Sequence, residues 1–264
     1  MAQNNEKLTF GGHLEVLRKM LFRILGVTAV FMCIIFCFKD ITFEILLAPS
    51  KSDFVFYRWV ECLSAFFGFE AAFKTFEVKM ISTELAGQFL VHLSTTCYLA
   101  LLCASPYIVY ELYKFVAPAL YEHEKKYSVK IVLAIYGLFF IGVLLSYYII
   151  FPVSFNFLGT YQIDEGIENQ INISSYFSSF ASLTFLLGLV FQLPVLSFFL
   201  TKIGILTSDI MKNYRRHAFM LIMFLAAIIT PSDLFSLFLV GLPVYGLYEL
   251  SIRIVKRVEK VKTD

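Results

Sequence analysis

The strongest constraint on this chain is a series of long apolar runs that carry almost no ionisable side chains. From Leu85 to Tyr110 there is no Asp, Glu, Lys or Arg, and from Asn169 to Thr201 there is again none. A bilayer's hydrocarbon core is about 30 Å thick, and a helix rising 1.5 Å per residue crosses it in about 20 residues. Inside that core every backbone N–H and C=O must find a partner in the chain, so such runs fold as helices. Six stretches qualify or come close: 20–38, 88–110, 131–151, 178–200, 217–230 and 234–250. Only the turn formers Pro231, Ser232 and Asp233 separate the last two. The expected architecture is an all-α integral membrane protein, a single domain over 1–264 with six transmembrane helices, the last two short. Hydrophobic residues at 59% and a mean hydropathy of +0.75 agree with it.

Charge placement orients the bundle. With six spans, the N-terminal segment, the loops 111–130 and 202–217 and the C-terminal tail share one side. They hold four, four, four and five Lys or Arg residues respectively. The other side holds five, all within 39–84, and the loop around Asp164, Glu165 and Glu168 holds none. The positive-inside rule then puts both termini in the cytoplasm, as in a multi-pass protein of a cell inner membrane. The first apolar run has Arg18, Lys19 and Arg23 at its start and no small-x-small cleavage site, so it reads as an uncleaved first span. The Phe-rich stretch Trp59–Phe76 contains Glu61, Glu70 and Lys74. A charge at bilayer depth costs about 2.5–3.5 kcal/mol, so interfacial helices in the first outer loop are expected there instead.

Several classes of chemistry are missing. His123-Glu124 begins like a zinc-protease H-E-x-x-H, but Tyr127 stands at the second His position. No nucleophile elbow, Walker A or dinucleotide fingerprint occurs, and the five cysteines show no metal spacing. The sequence therefore argues for no enzyme, cofactor or metal, and a net charge of +2 gives no electrostatic case for nucleic acid. Gln192, just before Pro194, is the clearest polar group inside a span, and helix–helix hydrogen bonding is its ordinary use. A small-solute permease or channel is the rival class. The uncharged spans speak against it, since ion-coupled carriers use intramembrane charge.

The charged constellations lie at the proposed cytoplasmic face. His13-Leu14-Glu15-Val16-Leu17-Arg18-Lys19 leads into the first span, with Leu14, Leu17 and Leu21 on one helical face. The next loop on that side reads Phe115-Val116-Ala117-Pro118-Ala119-Leu120-Tyr121-Glu122-His123-Glu124-Lys125-Lys126. In order and spacing these segments resemble the TatC family of twin-arginine translocase subunits. The family's H-L-x-E-L-R is similar to His13–Arg18, and its F-x-x-P-x-L-Y-x-x-E to Phe115–Glu124. Thr230-Pro231-Ser232-Asp233, Leu242-Pro243 and Leu247-Tyr248-Glu249 resemble its final hairpin, and Ala48-Pro49 and Phe151-Pro152 match as well.

That resemblance implies a receptor for signal peptides bearing paired arginines. It also implies a scaffold that recruits TatA- or TatB-like single-span partners and exports folded cargo on the proton-motive force. Such a protein sits in membrane lipid as a homo-oligomer within a complex. Carried over residue by residue, it assigns signal-peptide binding to Glu124, Glu15, Arg18, His13, Phe115, Pro118, Leu120 and Tyr121. Partner docking falls to Gln192, Pro49 and Asp233. The chemistry suits the task, because a carboxylate accepts two charge-assisted hydrogen bonds from a guanidinium in a geometry that Lys lacks. Three departures stand out. Val16 occupies the family's opening Glu position with Glu15 one place earlier, Gln192 stands where many relatives carry Glu, and the outer loop 39–84 is longer than in compact members.

The orientation is testable by labelling intact cells with a membrane-impermeant thiol reagent after Cys62→Ser. Ser52→Cys is expected to react and Thr263→Cys to stay protected. The reverse pattern would overturn the orientation.

Overall fold

The computed structural model describes residues 10–67, 78–116, 128–164, 169–230 and 234–263. Helix follows helix: α1 (Phe10–Cys37), α2 (Lys39–Leu47), α3 (Val55–Phe67), α4 (Gly87–Val116), α5 (Ser128–Leu145), α6 (Phe151–Thr160), α7 (Ile173–Val190), α8 (Leu193–Ile203), α9 (Ser208–Asn213), α10 (Arg215–Ile229) and α11 (Leu234–Thr263). Two short strands, β1 (Lys79–Ile81) and β2 (Gln170–Asn172), pair in parallel with Lys79 opposite Gln170. Among the described residues, five segments are long and apolar enough to cross a membrane: 14–37, 87–115, 132–160, 173–203 and 234–260. The chain is an all-α multi-pass membrane protein.

The helices outrun the apolar stretches that announce them. The last apolar run ends near Tyr248, yet the 30-residue α11 runs on through Arg253, Lys256, Arg257 and Lys260 to Thr263. Lys, Arg and Glu are good helix formers, so the helix extends as a polar rod where the apolar run stops. α10, in contrast, has only 15 residues, about 22 Å of helix. Between residues 39 and 84, α2 and α3 are helical. Residues 68–77, the remainder of the Phe-rich stretch, lie outside the described residues.

The described residues cluster in two units, one of 1–39 with 93–136 and the other of 40–92 with 137–264. The first holds α1 and most of α4. α1 is sparsely packed, with 6% of its apolar window buried. Met20 on one face is buried, while Leu14, Leu21, Phe22 and Leu25 remain exposed, as expected of a helix side bathed in lipid.

The second unit has a core of Ile150, Leu183, Leu187 and Phe191 with Ile222, Ala226, Val240 and Val244, which draws in α7, α10 and α11. α5 and α7 approach through a reciprocal pair of glycines. A Cβ on Gly142 would sit 2.9 Å from the Leu187 carbonyl oxygen, and one on Gly188 would sit 2.7 Å from the Phe139 ring. Small residues at such a crossing let two membrane helices gain close van der Waals contact. Buried hydroxyl pairs, Ser146 with Thr184 at 3.1 Å and Ser236 donating to Ser154 at 2.9 Å, pin neighbouring helices at depth. Near the chain end, Arg215 donates to Glu249 at 2.8 Å and Glu259 accepts from the Ser208 N–H at 2.9 Å, joining α9, α10 and α11.

Three tyrosines close off the end of α2. Pro49 has no N–H, so the Ile45 carbonyl four residues earlier has no helical donor. Tyr147 Oη donates to that carbonyl at 2.7 Å, Tyr176 Oη to the Leu46 carbonyl at 2.8 Å and Ser50 Oγ to the Leu47 carbonyl at 2.7 Å. Tyr57, on α3, donates to the Pro152 carbonyl at 2.7 Å, with the Pro49 carbonyl 3.3 Å away. Burial pushes the Tyr57 phenol above its ordinary pKa, which keeps it a donor across the physiological range. Around Pro152 the helix widens into a π-turn at Ser146–Ile150, where the Phe151 N–H reaches back five residues to the Ser146 carbonyl. These bonds account for the orphan carbonyls that a helix end otherwise leaves to water.

The α5–α7 crossing yields a stability prediction. Gly188→Leu must displace the Phe139 ring, and such overpacking costs about 1–3 kcal/mol. Gly26→Leu on α1 meets nothing within 4 Å. In detergent-solubilised protein, thermal unfolding is expected to fall by several degrees for the first and to hold for the second. Equal behaviour of the two would contradict the close crossing.

Candidate functional site

The first unit gathers the charged residues that the sequence brings forward. α4 carries Pro106 inside the helix, which removes the donor for the Leu102 carbonyl, and Ser105 Oγ takes that carbonyl at 2.6 Å. Just after it Tyr107 and Glu111 lie at i and i+4, on the same face, and the Tyr107 hydroxyl donates to Glu111 Oε1 at 3.1 Å. Arg23 of α1 donates to the same oxygen at 3.2 Å. The Glu111 side chain is 6% exposed and that of Arg23 47% exposed. A buried carboxylate is stable only when paired and hydrogen-bonded, and Glu111 is both. Phe115, half-buried, follows one turn further along α4, next to its last residue Val116.

Near the start of α1, Glu15 and Lys19 form an i,i+4 ion pair at 2.8 Å, with both side chains about two-thirds exposed. Arg18 stacks over the Phe22 ring at 5.9 Å. Val16 is exposed. His13 belongs to the helix backbone, but its side chain lies outside the described residues, as do Pro118, Leu120, Tyr121 and Glu124. The structure thus brings Arg18, Glu15 and Phe115 into one unit and leaves the loop carboxylate unplaced.

The residues expected at a partner surface are spread through the second unit. Gln192 sits at the break between α7 and α8, where Pro194 opens the new helix and the Gln192 carbonyl accepts from the Leu196 N–H at 2.9 Å. The predicted fourth span is therefore two helices meeting at Phe191–Gln192. Pro49 is buried within the tyrosine-closed end of α2. Asp233 lies outside the described residues. A depression of about 380 Å³ between α6, β2 and α7, lined by Phe151, Leu158, Asn172 and Ser175 among others, contains none of the residues expected to bind signal peptides or partners.

Glu111 is the residue that sequence reasoning missed. The apolar run was closed at Tyr110, which put Glu111 into a loop, whereas α4 continues to Val116. A carboxylate placed i+4 from a Tyr at the end of an apolar run was the available signal.

These features define a class: a multi-pass helical membrane protein that presents charge at helix ends. Comparison with known proteins narrows it. Residues 12–243 match the family model of the Sec-independent protein translocase protein TatC. The TatC of Blattabacterium (strain BPLAN) is 33% identical over 266 residues, covering 99% of this chain and 100% of that protein. The TatC of Campylobacter jejuni is 30% identical, covering 96% and 95%. For Halothiobacillus neapolitanus TatC the match, 33% identical, spans 96% of this chain and 63% of that longer protein. A crystal structure of the twin-arginine translocase receptor TatC superposes with a TM-score of 0.75 at 25% identity, covering 92% of this chain and 99% of that one. The chain belongs to the TatC family of Sec-independent protein translocases, and it is a transport protein rather than an enzyme.

Proposed function

We propose that this chain is the receptor core of a twin-arginine translocase, binding Arg-Arg signal peptides at the cytoplasmic ends of α1 and α4. Its similarity along nearly its whole length to a solved TatC receptor carries the reading. The geometry supports it, since the opening motif on α1 and Phe115 at the end of α4 belong to one unit. Six spans fit this function: α10, joined to α11 by a short link and packed along it, crosses as a short span. Both termini then face the cytoplasm, where basic residues are concentrated. The two helices of the outer loop, α2 and α3, lie at the opposite interface.

In this reading Glu124 is the principal acceptor of the signal's guanidinium groups, with Phe115, Pro118, Leu120 and Tyr121 shaping the loop around it and His13, Glu15 and Arg18 alongside. Glu15 is the lesser carboxylate, because it is exposed and already committed to Lys19. TatA- and TatB-like single-span proteins dock on the second unit, where Gln192, Pro49 and Asp233 contribute. The assembly contains several copies of the chain and is driven by the proton-motive force.

Two measurements follow. Gln192→Leu keeps an equal-sized side chain at the α7–α8 break, so unfolding is expected to be unaffected while crosslinking to a TatA-like partner declines. Undiminished crosslinking would remove Gln192 from the docking surface. A charge-assisted hydrogen bond at a partly desolvated interface is worth about 1.5–3 kcal/mol, so Glu124→Ala is expected to weaken Arg-Arg peptide binding about tenfold or more. Glu15→Ala is expected to weaken it less, and the opposite ranking would make Glu15 the dominant carboxylate.

A further inference from the structure

The Arg23–Glu111 pair is a guanidinium–carboxylate contact already present within the chain, in the same unit as the proposed signal site. Glu111 is almost fully buried, whereas Arg23 is nearly half exposed and reaches Glu111 through one nitrogen, at 3.2 Å. Arg23 and Tyr107 both donate to Oε1, and no bond to Oε2 is present among the described residues. A carboxylate with one oxygen occupied and the other open is half of a bidentate guanidinium site. Its internal partner is a long, flexible side chain that is nearly half exposed. The position suits recognition as well as pairing: Glu111 lies on α4 one turn before Phe115, and Arg23 lies five residues, about 7.5 Å, beyond Arg18 along α1.

We propose that Glu111 is a further specificity-determining residue of the receptor, a buried carboxylate that exchanges Arg23 for a guanidinium of the signal peptide. The inference rests on the receptor reading given above. In the unliganded state Arg23 neutralises Glu111, so the carboxylate is not left buried and unpaired. An arriving arginine takes Oε2 and then displaces Arg23, and the fork geometry favours a guanidinium over an ammonium in that exchange. In this chain the opening segment carries Val16 where its relatives' motif has Glu. Glu111 supplies a second carboxylate at the same end of the helix pair.

An exchange site and a fixed structural ion pair respond oppositely to removal of the arginine. For a structural pair, loss of either partner damages the site. For an exchange site, loss of Glu111 weakens the ligand, whereas loss of Arg23 removes a competitor. The test uses the purified full-length chain in lipid nanodiscs and two synthetic peptides, one carrying Arg-Arg before an apolar stretch and the other Lys-Lys, with thermal unfolding recorded for each variant. Glu111→Gln is expected to weaken Arg-Arg binding about tenfold, the scale of one charge-assisted hydrogen bond, and to change Lys-Lys binding little. Arg23→Gln is expected to tighten Arg-Arg binding several-fold. Arg23→Lys retains the charge that protects the fold, and is expected to tighten it about twofold because an ammonium competes poorly for the fork. Weaker or unchanged Arg-Arg binding in a folded Arg23→Lys protein, with Glu124→Ala still defective, would overturn the exchange and leave the receptor reading intact. Wild-type protein that binds both peptides alike would overturn the receptor reading and this inference together.

Discussion

Within a bilayer, a backbone carbonyl without a donor has no water to turn to, and this chain places prolines where they create such carbonyls. The architecture can be followed through what each one receives. Pro49 frees the Ile45 carbonyl, and Tyr147 arrives from a different helix to take it. Pro106 frees the Leu102 carbonyl, and the adjacent Ser105 takes it. Around Pro152 the helix widens by one residue into a π-turn, and Tyr57 takes the proline's own carbonyl. At Pro194 the chain ends one helix and begins another at Gln192. At Pro49 and Pro152 the partner comes from another helix, so these two prolines fix which helices meet as well as where the chain bends.

The same economy of polar partners shapes the charged groups. The described ion pairs lie at or beyond helix ends or in the extension of α11, and the interior of the second unit uses hydroxyl pairs instead. Glu111 is the exception by burial: it lies at the end of α4 but is shielded, and it is held by both a guanidinium and a phenol. A receptor that discriminates arginine from lysine needs a shielded carboxylate, since an exposed one gains little from either. In the proposed exchange, the burial that makes Glu111 costly to leave unpaired is also the source of its selectivity.

Much of this was legible in the sequence because hydrophobic length and charge placement are dictated by the bilayer. The runs that became α1, α4, α7–α8 and α11 were evident, as was helix around Trp59. The boundaries were less so. Periodicity cannot tell where an apolar run ends and its helix continues, so α4 was closed before Glu111 and α11 before its basic extension. Tertiary satisfaction was also hidden: nothing near Pro49 in the sequence announces Tyr147 or Tyr176, about a hundred residues away or more. The β1–β2 pairing joins two three-residue segments that are too short to carry a strand pattern. Pro49 itself was assigned to partner docking from resemblance, yet its buried place at the end of α2 shows a structural task that the motif alone does not reveal.

The central claim is that this chain recognises paired arginines where α1 begins and α4 ends. The most direct measurement is site-specific photocrosslinking from a reactive residue placed at Phe115 to a labelled Arg-Arg signal peptide, with a second reactive residue at Phe235, in the other unit, as the control. The account predicts an adduct from position 115 that excess unlabelled Arg-Arg peptide abolishes and Lys-Lys peptide does not, and no adduct from position 235. Adducts of equal strength at both positions, or competition by both peptides alike, would contradict it.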